Sequence, residues 1–237
     1  MSNNYFQFKL FRVEQDKCAM KVSTDACIQG AWTPVSQHVK NILDIGAGTG
    51  LLSLMLAQKK EAVHIDAIEL DELATDQAKE NFRNSPWKET IRIVNADARE
   101  YSSENKYDLI ISNPPFFNNS LLGDSDARNV ARHGISFTYT DLAKAIKTNL
   151  AENGYTSVLL PYASYEEWSE LAATHGLYVY KSLLIKPLAS SAYNRVVCLC
   201  GFNKPDEIIT EELVIYEKVN EYTAKSKGLL KPYYLKL

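Results

Sequence analysis

The sequence predicts a doubly wound α/β fold, in which helices cover both faces of a mostly parallel sheet. Three observations predict it. From Asn41 onward, apolar runs typical of strands alternate with amphipathic stretches typical of helices. A glycine-rich turn follows the first of these runs and leads into a helical stretch. Two later extended runs, 179–185 and 195–202, flank a turn-rich segment and predict an antiparallel hairpin at the edge of the sheet.

The periodicity of apolar residues assigns each core element in turn. Strands are predicted at residues 41–45, 63–69, 91–95, 107–112 and 155–160. Helices are predicted at residues 50–58, 71–84, 139–152 and 165–175. Asp71 suits the N-cap of the second helix, and Gly154 and Gly176 suit the ends of the third and fourth.

Length and composition indicate one globular domain. The chain has 237 residues, of which 46% are apolar and 23% charged. We expect a core at 41–202, a preceding segment at 1–40 that covers the site, and an extension at 203–237. No apolar run approaches the roughly 18 to 20 residues of a membrane span, and no signal peptide opens the chain, which predicts a cytoplasmic protein without membrane contact.

The cysteines and the net charge bear on the thiol state, on metal sites and on possible partners. The four cysteines form no C-x-x-C pair, so we expect reduced thiols and no metal site. Cys198 and Cys200 are two residues apart, which predicts small fillers on one face of a strand. The net charge of -3 neither demands nor excludes a nucleic-acid partner, because phosphate binding depends on a local basic surface. No obligate protein partner is evident.

The glycine-rich turn predicts a cofactor site. A G-x-G-x-x-G loop for NAD would occupy the same place and rest its pyrophosphate on the helix N-terminus. Here the spacing is G-x-G-x-G, and an acid, Asp44, precedes it. An acid is a poor neighbour for pyrophosphate, but it suits S-adenosylmethionine (SAM), which carries an ammonium and a sulfonium and no phosphate. We therefore predict that Asp44, Gly46, Gly48 and Gly50 bind SAM.

Polar residues follow the next two strands at the same sheet edge, where ligands bind in open α/β folds. Glu69 ends the second strand, where its carboxylate can accept hydrogen bonds from both hydroxyls of a ribose. Asp97 follows the third strand and can accept a bond from the amino group of the cofactor's adenine, while the Ala98 amide donates to a ring nitrogen. The alternatives are a solvated acid for Glu69 and a capping role for Asp97.

The turn Asn113-Pro114-Pro115-Phe116 follows the fourth strand and predicts the chemistry. An exocyclic amine on a purine is a poor nucleophile because its lone pair is delocalised into the ring. The Asn113 side-chain oxygen and the Pro114 carbonyl can each accept one N–H of such an amine and hold it in line with a methyl donor. Phe116 would stack on the base, which must be flipped out or unpaired. The alternative is that the prolines only close a strand.

A resemblance to known families makes the predicted function more specific. The turn resembles the [DNS]-P-P-[FYW] signature of class I, Rossmann-like methyltransferases that act on amino groups of planar systems. The head of the chain, including Phe6, Phe8 and residues 19–25 and 30–32, resembles bacterial tRNA1(Val) (adenine-N6)-methyltransferases, as do residues 131–133 and 229–236. The resemblance implies methyl transfer to N6 of the adenosine beside the anticodon of a valine tRNA. Within the head, Lys21 and Thr24 are predicted to close over the cofactor.

An RNA-facing surface is predicted from basic residues near the catalytic turn and at both ends of the chain. Arg128, Arg132 and His133, together with Phe116, are expected to bind the substrate. Other basic residues lie among aromatic ones and predict an RNA-facing rim; the aromatic residues are Phe6, Phe8, Phe11, Phe137, Tyr233 and Tyr234. Segment 117–138 lacks periodicity and is expected to form a flap that orders only when RNA is bound.

Four other functions compete. A ribosomal RNA guanine-N2 methyltransferase would use the same four-residue turn. Protein glutamine-N5 methyltransferases resemble the core, but they carry a longer helical domain in front. An NAD-dependent oxidoreductase is disfavoured by the acid before the glycine loop, by the Asn-Pro-Pro-Phe turn and by the terminal hairpin. A catalytically silent RNA-binding relative is disfavoured by the intact acceptor turn.

Overall fold

An eight-stranded sheet organises the protein. The computed structural model describes residues 3–18, 20–60, 62–114 and 137–237. In chain order the strands are β1 (Tyr5–Gln7), β2 (Arg12–Glu14), β3 (Asn41–Ile45), β4 (His64–Glu69), β5 (Ile91–Asn95), β6 (Tyr107–Ser112), β7 (Leu150–Pro161), β8 (Tyr178–Lys186), β9 (Arg195–Gly201), β10 (Ile209–Val214), β11 (Tyr216–Lys218) and β12 (Glu221–Tyr222). The helices are α1 (Thr24–Trp32), α2 (Leu51–Lys59), α3 (Glu72–Arg83), α4 (Tyr139–Asn149), α5 (Tyr165–Thr174) and α6 (Ala224–Leu230).

The strand order of the main sheet is β10-β8-β9-β7-β6-β3-β4-β5. Strands β3 to β7 pair in parallel, and β9 runs antiparallel to both β7 and β8. This confirms the predicted fold class and its hairpin. The predicted place of the hairpin at the edge was wrong, because β10 pairs in parallel with β8 and forms the edge. The β10 strand is mostly exposed, so its sequence lacks the apolar signal that would reveal it.

Helices cover the two faces of the sheet and define two cores. Helices α1, α2, α3 and α6 contribute buried residues to the core on one face. Helices α4 and α5 contribute to the core on the other face, where Cys198 and Cys200 are both fully buried. The prediction that these cysteines are fillers on one strand face is confirmed, and all four cysteines are free thiols.

Local signals set the helix ends with one exception. The Asp71 side chain accepts a hydrogen bond from the Ala74 amide and caps α3, and Gly176, with φ +79°, follows the end of α5. Gly154 was predicted to end α4, but it lies inside β7. A Cβ at Gly154 would lie 2.8 Å from Cδ1 of Leu150 and 2.9 Å from the carbonyl oxygen of Tyr107. Glycine is required there by close packing against β6.

The two ends of the chain pack together beside α1. The Lys9 amide donates to the Tyr233 carbonyl, and Phe8 forms a bridge with Tyr234. Phe8, Phe11, Tyr233 and Tyr234 are all at most 7% exposed. The predicted RNA-facing rim was therefore wrong for these four aromatic residues, because their rings stabilise the core.

Neither a membrane segment nor a metal site is found in the part of the chain that the structure describes. No described helix has the length and apolar character needed to cross a bilayer. Within the same residues, no three His, Cys, Asp or Glu side chains are grouped as ion ligands.

Candidate active site

The glycine loop between β3 and α2 faces open space beside Gly46 and Gly48, called here the groove. Gly46, Gly48 and Gly50 have φ values of +73°, +54° and +79°, a region that favours glycine. A Cβ at Gly46 or Gly48 would meet nothing within 4 Å, whereas a Cβ at Gly50 would lie 2.3 Å from Cε1 of Phe82. The first two glycines thus present bare backbone to the groove. Gly50 is needed instead so that the loop can pack against α3.

Asp44 lies buried beneath this loop. Its Oδ2 accepts hydrogen bonds from the Ser53 amide at 3.1 Å and the Ser53 hydroxyl at 2.7 Å, which tie β3 to α2. Its Oδ1 is buried and has no hydrogen-bond partner among the described residues. Burial raises the pKa of Asp44 to about 7, although the bonds from Ser53 lower it. One oxygen therefore supports the loop, and the other can still accept a bond from a ligand.

Glu69 lies beside the loop at the end of β4. Its Oε2 accepts a hydrogen bond from the Gly48 amide at 2.9 Å, and its Oε1 accepts one from the Asp71 amide at 3.0 Å. Each carboxylate oxygen can accept a further bond. The carboxylate is thus oriented by backbone amides next to the open groove.

Asp97, at the same edge after β5, is paired with Arg99. Its Oδ1 accepts hydrogen bonds from the backbone amide of Arg99 and from the side-chain Nε of Arg99, both at 2.9 Å. These bonds hold the pKa of Asp97 below its usual value. Ala98 packs against the core on the α4 and α5 face. The Ala96 amide donates to the Glu69 carbonyl, which places this loop next to Glu69.

The N-terminal segment is tied to α3 next to the glycine loop by contacts that the sequence does not reveal. The Asn81 side chain on α3 donates to the carbonyls of Glu14 and Thr49, and it accepts a bond from the Glu14 amide. Lys21 is exposed just before α1. Thr24 begins α1 and is a hydrogen-bond partner of the Tyr222 side chain, so it contacts the β11–β12 hairpin.

The acceptor turn begins where β6 ends. Oδ1 of Asn113 is buried and lacks a hydrogen-bond partner in the described parts of the chain, and Pro114 is buried. Ile45 pairs with Ser112, so the glycine loop and the acceptor turn leave neighbouring strands side by side. A buried acceptor without a partner is costly, and a donor from a ligand would satisfy it.

Gln29 supports this turn and was missed by sequence reasoning. It is fully buried on α1, and its Nε2 donates to the Ser112 carbonyl at 2.9 Å and to the Ser157 carbonyl at 3.1 Å. These bonds join the end of β6, immediately before Asn113, to the interior of β7. The partners are 83 and 128 positions away along the chain, so no local pattern indicates them.

The remaining predicted residues lie outside the described part of the chain. They are Pro115, Phe116, Arg128, Arg132 and His133, together with most of the predicted flap at 117–138.

Comparisons with known proteins point to one family. The model of the methyltransferase small domain matches residues 32–135. A tRNA1(Val) (adenine(37)-N6)-methyltransferase from Flavobacterium psychrophilum is 42% identical, covering 98% of this chain and all of its own. The protein of that name from Bacteroides fragilis is 41% identical over the full length of both chains.

Solved structures support the fold alone. A predicted O-methyltransferase from Agrobacterium tumefaciens has a TM-score of 0.64 at 15% identity, covering 88% of this chain and 96% of its own. A ribosomal protein L11 methylase from Lactobacillus delbrueckii subsp. bulgaricus has a TM-score of 0.53 at 16% identity, covering 76% of this chain and 77% of its own. The full-length relatives establish the family: the chain belongs to the tRNA1(Val) (adenine(37)-N6)-methyltransferase family.

Proposed function

We propose that the protein transfers the methyl group of SAM to N6 of adenosine 37 in tRNA1(Val), the reaction in its relatives' name. The observation that carries the proposal is that Oδ1 of Asn113, just after the strand next to β3, is buried and has no hydrogen-bond partner among the described residues. An amide oxygen in this position can accept a hydrogen bond from an amine and cannot remove a proton from a carbon or attack a substrate. The arrangement therefore favours methylation of an amine.

The residues around the groove fit SAM. Gly46 and Gly48 leave room for a ligand against the backbone, and Oδ1 of Asp44 is an acceptor suited to an ammonium. Glu69 would accept bonds from the ribose hydroxyls. When bound, SAM supplies a methyl group on a positively charged sulfur. Asp97 and Ala98 are proposed to bind the adenine, and Lys21 and Thr24 are proposed to belong to the segment that covers the site.

The protein's own residues orient the substrate amine through hydrogen bonds. Asn113 Oδ1 and the Pro114 carbonyl each accept one N–H, which favours the pyramidal nitrogen and stabilises the positive charge that develops on it. Neither acceptor is basic enough to keep the proton, which passes to water after the transfer. Phe116 is proposed to stack on the flipped adenine, while Arg128, Arg132 and His133 are proposed to bind the RNA. A tRNA substrate would place the enzyme in the cytoplasm.

The test is methyl transfer from labelled SAM to unmodified total tRNA, followed by nucleoside analysis and mapping of the labelled RNA. Label in N6-methyladenosine from a valine tRNA is the expected result. The matched control is the Asn113→Ala protein, which should bind SAM and leave the tRNA unlabelled. Label in ribosomal RNA as N2-methylguanosine, with none in tRNA, would overturn the proposed substrate.

A further inference from the structure

Three tyrosines form a cluster at the same sheet edge as Asn113, on the side away from the glycine loop. They are Tyr162, Tyr165 and Tyr193, called here the tyrosine cluster. Tyr162 opens the short 3-10 turn Tyr162–Ser164 directly after β7. Its amide donates to the Asn194 carbonyl at 3.1 Å, which ties this turn to the loop between β8 and β9.

The flanking tyrosines hold the ring of Tyr162 in place. Its centroid lies 5.2 Å from that of Tyr193 and 6.4 Å from that of Tyr165. Tyr193 donates a hydrogen bond to Glu212 on β10, and Tyr165 is a hydrogen-bond partner of Ser182 on β8. Tyr162 itself remains 37% exposed. The cluster therefore presents a partly open aromatic ring whose neighbours are anchored to the sheet.

The cations near the cluster, Lys186 and Arg195, each lie beside a carboxylate. Lys186 Nζ lies 5.1 Å from the centroid of the Tyr193 ring and 4.0 Å from Oε2 of Glu212. Arg195 Nε lies 3.3 Å from Oδ2 of Asp25 on α1. Because each cation faces a carboxylate, this surface is better suited to a planar, uncharged group than to a phosphate. A nucleobase is such a group, since every base has an aromatic face that stacks on tyrosine.

Strand pairing gives the distance to the acceptor turn. Ser112 pairs with Val158, Val158 pairs with Cys198, and Pro161 pairs with Arg195. Tyr162 directly follows Pro161, so it lies one strand spacing across from Asn113 and about three residues further along, which corresponds to a backbone separation on the order of 11 Å. A nucleotide adjacent to one held at Asn113 can reach that far.

We propose that Tyr162, supported by Tyr193 and Tyr165, is a stacking platform for an anticodon-loop nucleotide next to the methylated adenosine. This inference rests on the proposed function and adds a second base-binding position to it. When the target base turns into the active site, its neighbour loses a stacking partner. Tyr162 replaces that partner and so stabilises the bound RNA without contacting the reacting atoms.

The test compares Tyr162→Ala with Tyr162→Phe, which keeps the ring. Tyr162→Ala should raise KM for tRNA by about 5- to 100-fold, the effect of losing one stacked base, with kcat within about twofold. Tyr162→Phe should match the unaltered protein. Tyr178→Ala is the matched control, because Tyr178 pairs with Gly201 at the opposite end of β8 and should leave KM unchanged. An unchanged KM in Tyr162→Ala, or a loss confined to kcat, would overturn the platform.

A fluorescence readout separates stacking from a general effect on folding. 2-Aminopurine replaces either neighbour of the target adenosine in the tRNA, and its fluorescence is quenched on stacking. Quenching is expected with the unaltered protein and Tyr162→Phe, and it should be lost with Tyr162→Ala. Equal quenching with all three would contradict the platform. Absence of tRNA methylation by the unaltered protein would instead contradict the proposed function, so the two failures are distinguishable.

Discussion

The two sides of the candidate site differ in how far their polar groups are already paired. On the cofactor side, both oxygens of Glu69 accept bonds from backbone amides, and Asp97 is bonded to Arg99. On the amine side, Oδ1 of Asn113 is buried and has no partner among the described residues. On the cofactor side, the fold thus pairs Glu69 and Asp97 by itself and leaves only Oδ1 of Asp44, among the acids described there, for a ligand, whereas the acceptor turn is left to be completed by a substrate amine. Substitutions on the two sides should therefore affect different steps.

The largest effect is expected from Asn113→Ala. It removes a fixed acceptor that acts on the developing charge, and kcat should fall by about 100- to 1,000-fold, as when one such group is lost in other enzymes. SAM affinity should change by less than about threefold, because Glu69 and the glycine loop are untouched. Single-turnover rates and calorimetric titration with SAM measure the two quantities. Comparable losses in both would break the proposed division between the two sides.

Glu69→Ala should show the opposite pattern. It removes charge-assisted bonds of about 1.5 to 3 kcal/mol, so the dissociation constant of SAM should rise by about 10- to 100-fold. The value of kcat at saturating SAM should stay within a few-fold of the unaltered protein. Glu69→Gln, which keeps one acceptor oxygen, is the control and should lose less affinity. A fall in kcat without weaker SAM binding would contradict the proposed role of Glu69 in binding the cofactor.

Gln29→Leu tests whether the acceptor turn needs its support from α1. The change removes the bonds to the Ser112 and Ser157 carbonyls, and kcat should fall by about tenfold, while stability falls by about 1 to 3 kcal/mol. Thr33→Val is the matched control. It removes the bond between the Thr33 and Ser157 hydroxyls, which does not reach β6. Equal kcat values for the two variants would show that Gln29 contributes only to stability.

The effect of Asp44→Asn is measured as stability against pH, not as a rate. The folded pKa of Asp44 is about 7 against an ordinary 3.8, so the folded protein binds more protons than the unfolded chain between these values. Asp44 therefore lowers the free energy of unfolding as pH rises from about 4 to about 7. Asp44→Asn can still accept the bonds from Ser53 and removes this dependence. Its stability relative to the unaltered protein should therefore grow by roughly 4 kcal/mol from pH 4 to above pH 7, because each pKa unit corresponds to about 1.4 kcal/mol.

Urea unfolding at pH 5 and pH 8 measures this difference. The advantage of Asp44→Asn over the unaltered protein should be larger at pH 8, where wild-type Asp44 is charged in the folded state. A constant difference at both pH values would mean that Asp44 titrates near its ordinary pKa.

Short-range sequence patterns were enough to predict several elements of the fold and the site. The strand 41–45, the glycine turn after it and the acceptor turn at Asn113 are each visible within a few residues, because backbone alternation and turn chemistry act over that range. The prediction was wrong where local and distant causes compete. Gly154 resembles a helix end but is fixed by packing against Tyr107, and Phe8 resembles part of an exposed rim but is fully buried.

From the sequence alone, the order of the α/β elements in the core at 41–202 could be predicted, as could the positions of Asp44, Glu69, Asp97 and Asn113 at one sheet edge and the resemblance to the family. The folded structure was needed to show that β9 inserts between β7 and β8, that Gln29 supports the acceptor turn, and that three tyrosines gather beside it. Strand neighbours and side-chain partners far apart in the chain depend on how the whole core packs, and no short window of sequence records that packing.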